Sequence, residues 1–507
     1  MLRFSNPLVW IALLVLAGCA IEGPNFVPPE THVPAAWNSP RDTDARDVVT
    51  TNALADPNPQ WWRSFGDSLL DSLEQRAVAG NLDLQAALLR IAASRSQEQI
   101  ARAQGLPNLK AAASYDREQL GLEGIFKSVG PLPSSLQSNP SVGAVESQLG
   151  APINLFSVAL DASWELDLFG KVTRSVEAAT AQSQANEEAR NDALVALQAE
   201  VAQTYSQLRA AQELRRLTLA AISDEQQILD LTKNLQVSGL GRQSDVESIV
   251  GQVAQNESQL PQYEVQIAQA SNALSVLIGA TPGALTAELA GAGKVFTLPD
   301  AVSIGLPAML ARRRPDIREA EANLHAATAQ TGVAIASLFP DVSLSAQYGL
   351  RNTSTKYLFN WASRFYTVGP SISLPIFQGG SLTANVHLAR AEQAAAAIAY
   401  RKTVLSALEE VENALVGFQQ DQLRVQSLRK TTDANSRSLA LARDAYRHGI
   451  TSFITVLDSD RQTIQAQVQL STAVVQQSID LITLYKALGG GWELNLPPAT
   501  YDDVGLR

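Results

Sequence analysis

Four stretches of the chain alternate between apolar and polar side chains. In residues 160–168, Leu160, Ala162, Trp164, Leu166 and Leu168 interleave with Asp161, Ser163, Glu165 and Asp167. In 342–350, Val342, Leu344, Ala346, Tyr348 and Leu350 interleave with Ser343, Ser345, Gln347 and Gly349. Residues 108–116 and 366–376 behave likewise, ending in Tyr115 and beginning with Tyr366. Successive side chains of a strand point to opposite faces, so the pattern predicts strands with one apolar face. A soluble sheet with one wet side gives the same alternation. Here each stretch also has about the 9–11 residues that cross a bilayer within a barrel. Four such strands cannot close on themselves, and an open edge in lipid leaves backbone groups unsatisfied at several kcal/mol each. The chain must therefore oligomerise: two copies would supply eight strands, three would supply twelve, and strand count alone does not choose.

The remaining pattern is helical and written twice. Asn81-Leu82-Asp83 and Leu106-Pro107 recur as Arg314-Pro315-Asp316 and Phe339-Pro340, at one offset (316 against 83, 340 against 107). Further on, Val201 and Val411, Gly239 and Gly449, Val246 and Val456, and Gly279 and Gly489 share a second, shorter offset. A Gly-, Pro- and Ser-rich insertion at roughly 117–157 of the first copy accounts for the change. Each copy is predicted to run helix, two strands, very long helix, tight turn, long helix. From Lys171 to Val237 there is neither Pro nor Gly, room for roughly 100 Å of helix at 1.5 Å per residue. Leu194, Leu197, Val201, Tyr205 and Leu208 step by three and four, and Leu405, Leu408, Val411, Leu415 and Phe418 answer them. Partner helices are expected at about 244–279 and 452–488, with Pro261 kinking the first of them. The predicted class is α+β, divided into 1–18 (leader), 19–60 (extended tether), 61–290 and 308–491 (the two repeats), 291–307 (linker) and 492–507 (tail).

At the amino terminus Arg3 precedes the apolar run Leu8–Leu16, and Ala17-Gly18-Cys19 follows. A basic end, a short apolar stretch and small residues describe an export signal too short to remain as a spanning helix. Leu16-Ala17-Gly18-Cys19 looks like the bacterial lipobox, which implies diacylglycerol on the Cys19 thiol and an acyl chain on its freed amine. An ordinary signal peptide that happens to contain Cys is the alternative. Lipid chains at about 0.8 kcal/mol per buried CH₂ would hold the chain to a bilayer. Ala20 rather than Asp after the Cys implies the outer membrane. Seven prolines between residues 24 and 59 read as an extended tether without a core of its own.

Composition removes several function classes. Of the 507 residues 18% are charged and 6% aromatic, and the net charge is −11. An acidic balance argues against a nucleic-acid partner. One cysteine permits no disulfide within the chain, and four scattered histidines form no metal-ligand spacing. No nucleophile elbow or phosphate loop is present. No catalytic residue, metal or soluble cofactor is therefore assigned, and an enzyme is not expected.

The duplicated strand-strand, helix-helix chain with its lipobox resembles the TolC-type outer-membrane factors of tripartite efflux systems, above all their lipoprotein (NodT-like) subgroup. The likeness spans about 61–491 and rests on Trp164-Glu165-Leu166-Asp167-Leu168-Phe169-Gly170, Arg313-Arg314-Pro315-Asp316-Ile317-Arg318, Leu374-Pro375-Ile376-Phe377 and Val456-Leu457-Asp458 in that family's order. It implies a homotrimer whose twelve strands form a barrel in outer-membrane lipid. Twelve helices would continue it as a periplasmic tunnel with a mixed α/β equatorial region. The implied partners are a periplasmic adaptor (membrane fusion protein) and an inner-membrane pump of RND type, and the implied cargo is small toxic compounds. Protein secretion of type I and metal export are alternatives within the family.

The helix-turn-helix tips are where a sealed tube must open. The resemblance implies that Gly239 and Gly449 let adaptor hairpins approach, and that Asp245, Tyr446 and Asp458 belong to a periplasmic gate. Thr451 and Thr455 stand where some relatives carry Arg and Asp, so no Arg latch carries over. Read without the resemblance, Asp245 is also explained by helix-start electrostatics. His448 fits a solvated helix end or a pH-sensitive tip. Gly239 or Gly241 is expected to end the first long helix in a left-handed turn, and Ser244 with Glu247 to form a capping box that starts the next. A lipid-tethered periplasmic coiled-coil scaffold would explain the helices and Cys19 but not four one-sided strands.

Overall fold

The computed structural model describes residues 21–30, 33–38, 50–52, 58–119, 152–291, 296, 298–299 and 301–493. The leader, Cys19, most of the 117–157 insertion and residues 494–507 lie outside the described residues. Two compact units are formed from interleaved parts of the chain.

The first unit comprises residues up to Phe26, Ser96–Thr180 and His325–Ala394. It holds the four alternating stretches within strands, although the strand expected at 160–168 begins earlier, at Ile153, and ends at Leu166. In chain order, with β1 (Thr50–Asn52) belonging to the second unit, they are β2 (Asn108–Glu118), β3 (Ile153–Leu166), β5 (Asp341–Asn352) and β6 (Arg364–Ser373). They form one antiparallel sheet in the order β2-β3-β5-β6. Paired residues share a face, and the register collects the apolar positions on one side: Ala111, Leu160 and Tyr348 lie in a row with Tyr366, and Trp164 lies beside Leu344. Lys110, Asp161, Gln347 and Thr367 form a row on the opposite side. Gln347 donates to Asp161 there at 2.6 Å. Leu109, Leu160, Tyr348, Tyr366, Val368 and Ile372 are all exposed, so the apolar face is uncovered. β6 stops at Ser373 rather than reaching 376, because Pro375 has no N–H for the ladder.

Residues Ile21–Phe26 have no regular structure and are pinned to this unit. Arg174 donates to the carbonyls of Glu22 and Gly23 and to Asn25 Oδ1, while the Phe26 ring stacks on His325 at 4.4 Å. His325 Nε2 in turn lies 2.9 Å from Glu177.

The second unit comprises Val27–Arg95, Ala181–Leu324 and the chain from Ala395 onward. Helices α1 (Ser68–Gly80), α2 (Leu82–Gln104), α3 (Lys171–Val237), α4 (Gln243–Glu257), α5 (Leu260–Leu277), α6 (Thr286–Leu289), α7 (Pro307–Arg313), α8 (Pro315–Ala336), α9 (Thr355–Leu358), α10 (Ser381–Arg447) and α11 (Phe453–Ala487) follow in chain order. Of these, α9 lies in the first unit, and α2, α3, α8 and α10 each divide between the two. The two long helices, α3 and α10, have 67 residues each. The helix before the strands also recurs, α2 opening at Leu82 and α8 at Pro315. A break at Ser258–Gln259 separates α4 from α5, whereas α11 is continuous. Pro261 sits in the first turn of α5, where its missing N–H costs no helical bond.

The core of this unit surrounds Trp61, Phe65, Leu70, Leu73, Tyr205 and Phe418. Tyr205 donates to Asp67 at 2.7 Å, and Asp67 also caps α1. The segment 291–307 between the repeats packs against the core, contributing Phe296, Val302 and Ile304; Phe296 stacks on Phe65 at 4.5 Å, and β4 (Ala301–Ser303) pairs in parallel with β1. Three apolar side chains in a short segment gain more by burial than by solvation. One seam residue is corrected: Leu405 is exposed, and Val404 and Ala407 join Leu408, Val411, Leu415 and Phe418 in the seam of α10. Among the described residues no helix is long and apolar enough to cross a membrane.

Gly349 gives a direct test of the sheet. A Cβ there would meet the Val158 carbonyl at 2.4 Å and Ala159 Cα at 2.7 Å, whereas nothing lies within 4 Å at Gly369. Gly349→Val is expected to cost about 1–3 kcal/mol by overpacking and to lower the thermal midpoint of the β-sheet signal in circular dichroism. Gly369→Ala leaves it unchanged.

Candidate functional site: the helical-hairpin tips

Both tips are built by one device. The α3 helix ends with Gly239 at φ +73°, its N–H reaching Gln236 O at 3.0 Å while Leu240 N–H reaches Leu235 O at 2.9 Å. The α10 helix ends with Gly449 at φ +72°, its N–H reaching Tyr446 O at 2.9 Å while Ile450 N–H reaches Ala445 O at 2.8 Å. These are Schellman termini, which need a residue free to adopt the left-handed region. Of the two glycines considered for the first tip, Gly239 takes that role. Nothing lies within 4 Å of a Cβ built at either glycine. Around them Val237, Leu240 and Ile450 are exposed. Both tips therefore present bare backbone flanked by apolar side chains.

The expected capping box is absent. The α4 helix starts at Gln243 with Arg242 as its cap and no side-chain cap bond. Ser244 thus lies inside the first turn, where its carbonyl accepts from Ser248 Oγ, and Glu247 accepts from Gln243 instead. Asp245, also in that turn, faces favourably toward the positive helix end.

Tyr446 packs beside Phe453, with ring centroids 5.8 Å apart, against the small core of Ile249, Phe453 and Leu457. Burial pushes the Tyr446 phenol up, the nearby Asp245 carboxylate adds to this, and a hydrogen bond with Thr232 opposes it. The Asp245 carboxylate of the first hairpin thus acts electrostatically on the Tyr446 phenol of the second. Asp458 has no such influence on Tyr446: it is exposed on α11, without an ion-pair partner among the described residues. Thr455 lies 3.2 Å from Ser452 through their hydroxyls. His448 is exposed, its Nδ1 2.9 Å from the Asp444 carbonyl.

Behind these residues lies a partly buried polar network that the sequence reading missed. Arg443 of α10 reaches Asp460 of α11 at 3.0 Å and Asp224 of α3 at 3.4 Å. Glu225, fully buried on α3, accepts from Asn256 of α4 at 2.7 Å. Four helices are braced by these contacts. Glu225 Oε2 and Asp460 Oδ2 are buried without a hydrogen-bond partner among the described residues. Burial raises the Glu225 carboxyl to about 7; Asn256 and Gln252 lower it through hydrogen bonds and Arg461 by charge, while Asp460 repels its ionised form. Asp460 is raised as well, chiefly by burial, with Arg443 opposing. The signal was available in the spacing. Phe453, Val456, Leu457 and Asp460 form one helical seam, so Asp460 falls on the apolar side and Asp458, two residues away, on the far side.

Comparison with known proteins decides the class. The profile of the outer membrane efflux protein family matches residues 73–280 and 306–490. The chain belongs to the outer membrane efflux protein family. It is 32% identical to the probable efflux pump outer membrane protein TtgC of Pseudomonas putida over 490 residues, covering 95% of this chain and 94% of that protein. It is 28% identical to nodulation protein T of Rhizobium leguminosarum bv. trifolii, covering 97% and 98%. Among solved structures, the outer-membrane channel OprN matches with a TM-score of 0.81 at 32% identity, covering 93% of this chain and all of that one. The open state of the MtrE outer membrane channel of Neisseria gonorrhoeae matches at 0.74 and 27% identity, covering 93% and 99%. The mixed, helix-dominated fold with its four-stranded antiparallel sheet is that of these outer membrane efflux channels.

The raised Glu225 carboxyl sets the sign of a pH effect in the tip of this efflux protein. Folding shifts it from an ordinary value of 4.5 to about 7, so the folded tip binds the extra proton. Its stability is then full below about pH 4.5 and falls as pH rises toward 7. The loss is about 1–2 kcal/mol after discounting for water that reaches the tip. Hydrogen exchange of amides 440–460, corrected for intrinsic rates, is expected to show lower protection at pH 8 than at pH 5. Glu225→Gln removes most of that difference.

Proposed function

We propose that three copies of this chain close into an outer-membrane duct that conducts small toxic compounds outward from an inner-membrane transporter and a periplasmic adaptor. The observation that carries this reading is the sheet: one uncovered apolar face and two free edges, β2 and β6. Because each pairing in the sheet is antiparallel, β2 and β6 run in opposite directions. Joining β6 of one copy to β2 of the next therefore continues the antiparallel pattern, and a ring of copies leaves no edge in lipid. Twelve strands is an even number within the range of such barrels, and the choice of three copies over two follows the family resemblance. Drugs and solvents as cargo are supported by relatives named for antibiotic and toluene efflux.

Four finer assignments belong to this reading. Cys19 carries diacylglycerol and an N-acyl chain; the clamped segment Ile21–Phe26 starts two residues later and is held beside Gly170 and Arg174, just past the end of β3. That position suits lipid entering the leaflet nearest the helices. The glycines Gly239 and Gly449, with the exposed apolar residues around them, form the adaptor contact. Asp245 and Tyr446, joined by Asp458 of the tip, ring the periplasmic aperture, where threefold repetition multiplies each negative charge. The two repeats at 61–290 and 308–491 are the units that were duplicated.

Outer-membrane fractions are expected to contain an SDS-sensitive trimer, and deletion of the chain to raise intracellular accumulation of a fluorescent dye. A mature chain that is soluble and monomeric would end the reading. In planar bilayers Asp458→Ala is expected to reduce cation selectivity; unchanged selectivity removes Asp458 from the gate.

A further inference from the structure

The connection between β5 and β6 has an unusual composition. From Arg351 to Arg364 it contains three cations, Arg351, Lys356 and Arg364, and no carboxylate, in a chain of net charge −11. The segment is held by its own bonds. Asn352 Nδ2 donates to Ser363 Oγ at 2.8 Å, and Ser363 Oγ donates to the Tyr357 carbonyl at 2.7 Å. Leu358 is buried beneath it. Its aromatic side chains nevertheless face outward, Phe359 at 77% and Trp361 at 71% exposure. A loop fixed by internal hydrogen bonds that still displays two large apolar rings has a surface made for contact.

The cations are placed with those rings. The Arg364 guanidinium lies 4.7 Å over the Trp361 ring, and Lys356 Nζ lies 5.4 Å from the Tyr357 ring. Arg364 shares its face of β6 with Tyr366, Val368 and Ile372 by strand alternation, so it ends the row of apolar side chains. Arg351 is different: it stacks over Phe365 at 4.3 Å, on the polar face of the sheet. Neither Lys356 nor Arg364 has an ion-pair partner among the described residues. A guanidinium and an ammonium at the end of an apolar row, beside exposed aromatic rings, match the level where acyl chains give way to charged headgroups. The planar guanidinium fork suits phosphate oxygens in particular.

We propose that Lys356 and Arg364, with Phe359 and Trp361 as apolar anchors, bind the phosphate-bearing headgroup of an outer-leaflet glycolipid. This rests on the reading that the sheet crosses the outer membrane with its long helices on the periplasmic side. Charge complementarity selects this occupant, and the rings beside the cations select a phosphate attached to acyl chains over free phosphate.

The test uses the full-length, detergent-solubilised trimer and native mass spectrometry. Lipid A, dephosphorylated lipid A and inorganic phosphate are the probes. Lipid A is expected to bind the wild type and to bind Lys356→Glu/Arg364→Glu about thirtyfold more weakly. Dephosphorylated lipid A should bind both forms equally weakly, and Phe359→Ser/Trp361→Ser should weaken lipid A binding while leaving trimer mass and β-sheet signal intact. Equal lipid A binding by wild type and the charge-reversed variant overturns the proposal. So does equal binding with and without the phosphates, or displacement of lipid A by inorganic phosphate at the same concentration. A wild-type trimer that conducts in bilayers yet ignores lipid A defeats the headgroup site alone. A soluble monomer defeats the duct reading and this site together.

Discussion

The backbone groups along the two free edges of the sheet are the constraint on which the rest depends. In water an unpaired strand edge exchanges its hydrogen bonds with solvent, and four strands can end anywhere. Against lipid the same N–H and C=O groups have no partner, and only closure removes the cost. The apolar face built by Leu160, Trp164, Leu344 and Val368 is therefore meaningful only together with the edges at β2 and β6. An apolar surface draws the sheet into lipid, and the edges then demand neighbours. On the proposed reading the neighbour is another copy, and the opposite running directions of β2 and β6 allow the joint to repeat.

Duplication explains how one chain supplies both a closable sheet and paired hairpins. The copies match closely where backbone geometry is decisive. Gly239 and Gly449 end the long helices, and Gly279 and Gly489 end the partner helices, all four at positive φ and all with the same pair of carbonyl-satisfying bonds. They diverge where side-chain chemistry matters. A break at Ser258–Gln259 splits one partner helix and nothing splits the other, and the Asp245 carboxylate of the first tip helps to raise the Tyr446 phenol of the second. The influence runs between unlike residues, so the two tips are not interchangeable.

The elements were legible where punctuation was strong. The limits of α3 follow from a run of 67 residues without Pro or Gly, and strand positions follow from strict alternation that a slip of one residue would invert. Legibility failed where one residue type serves two environments. Ser244 and Glu247 have capping-box spacing, but the helix had already begun at Gln243. Residues 291–307 have linker composition, yet Phe296 and Val302 find room in the core. Glu225 and Asp460 resemble the solvated carboxylates common on long helices; only the helical seam on which each sits shows that they are buried.

Those two acids bear on what the tips can do. A hairpin tip packed by Ile249, Phe453 and Leu457 alone would be apolar and unconditionally shut. Placing Glu225 and Asp460 in the same seam leaves buried carboxylate oxygens unsatisfied, and one cation, Arg443, is shared between Asp460 and Asp224. A partly satisfied buried network contributes little net stability and loses what it has when one member moves. It also ties α3, α10 and α11 together, since Arg443 bridges the two aspartates. The tip is therefore specific in its packing and weakly held, the combination expected of a segment that opens locally while the core around Trp61 and Tyr205 stays intact. On the proposed reading of a duct that opens at its helical end, the place that parts is the place where burial is least complete in its compensation.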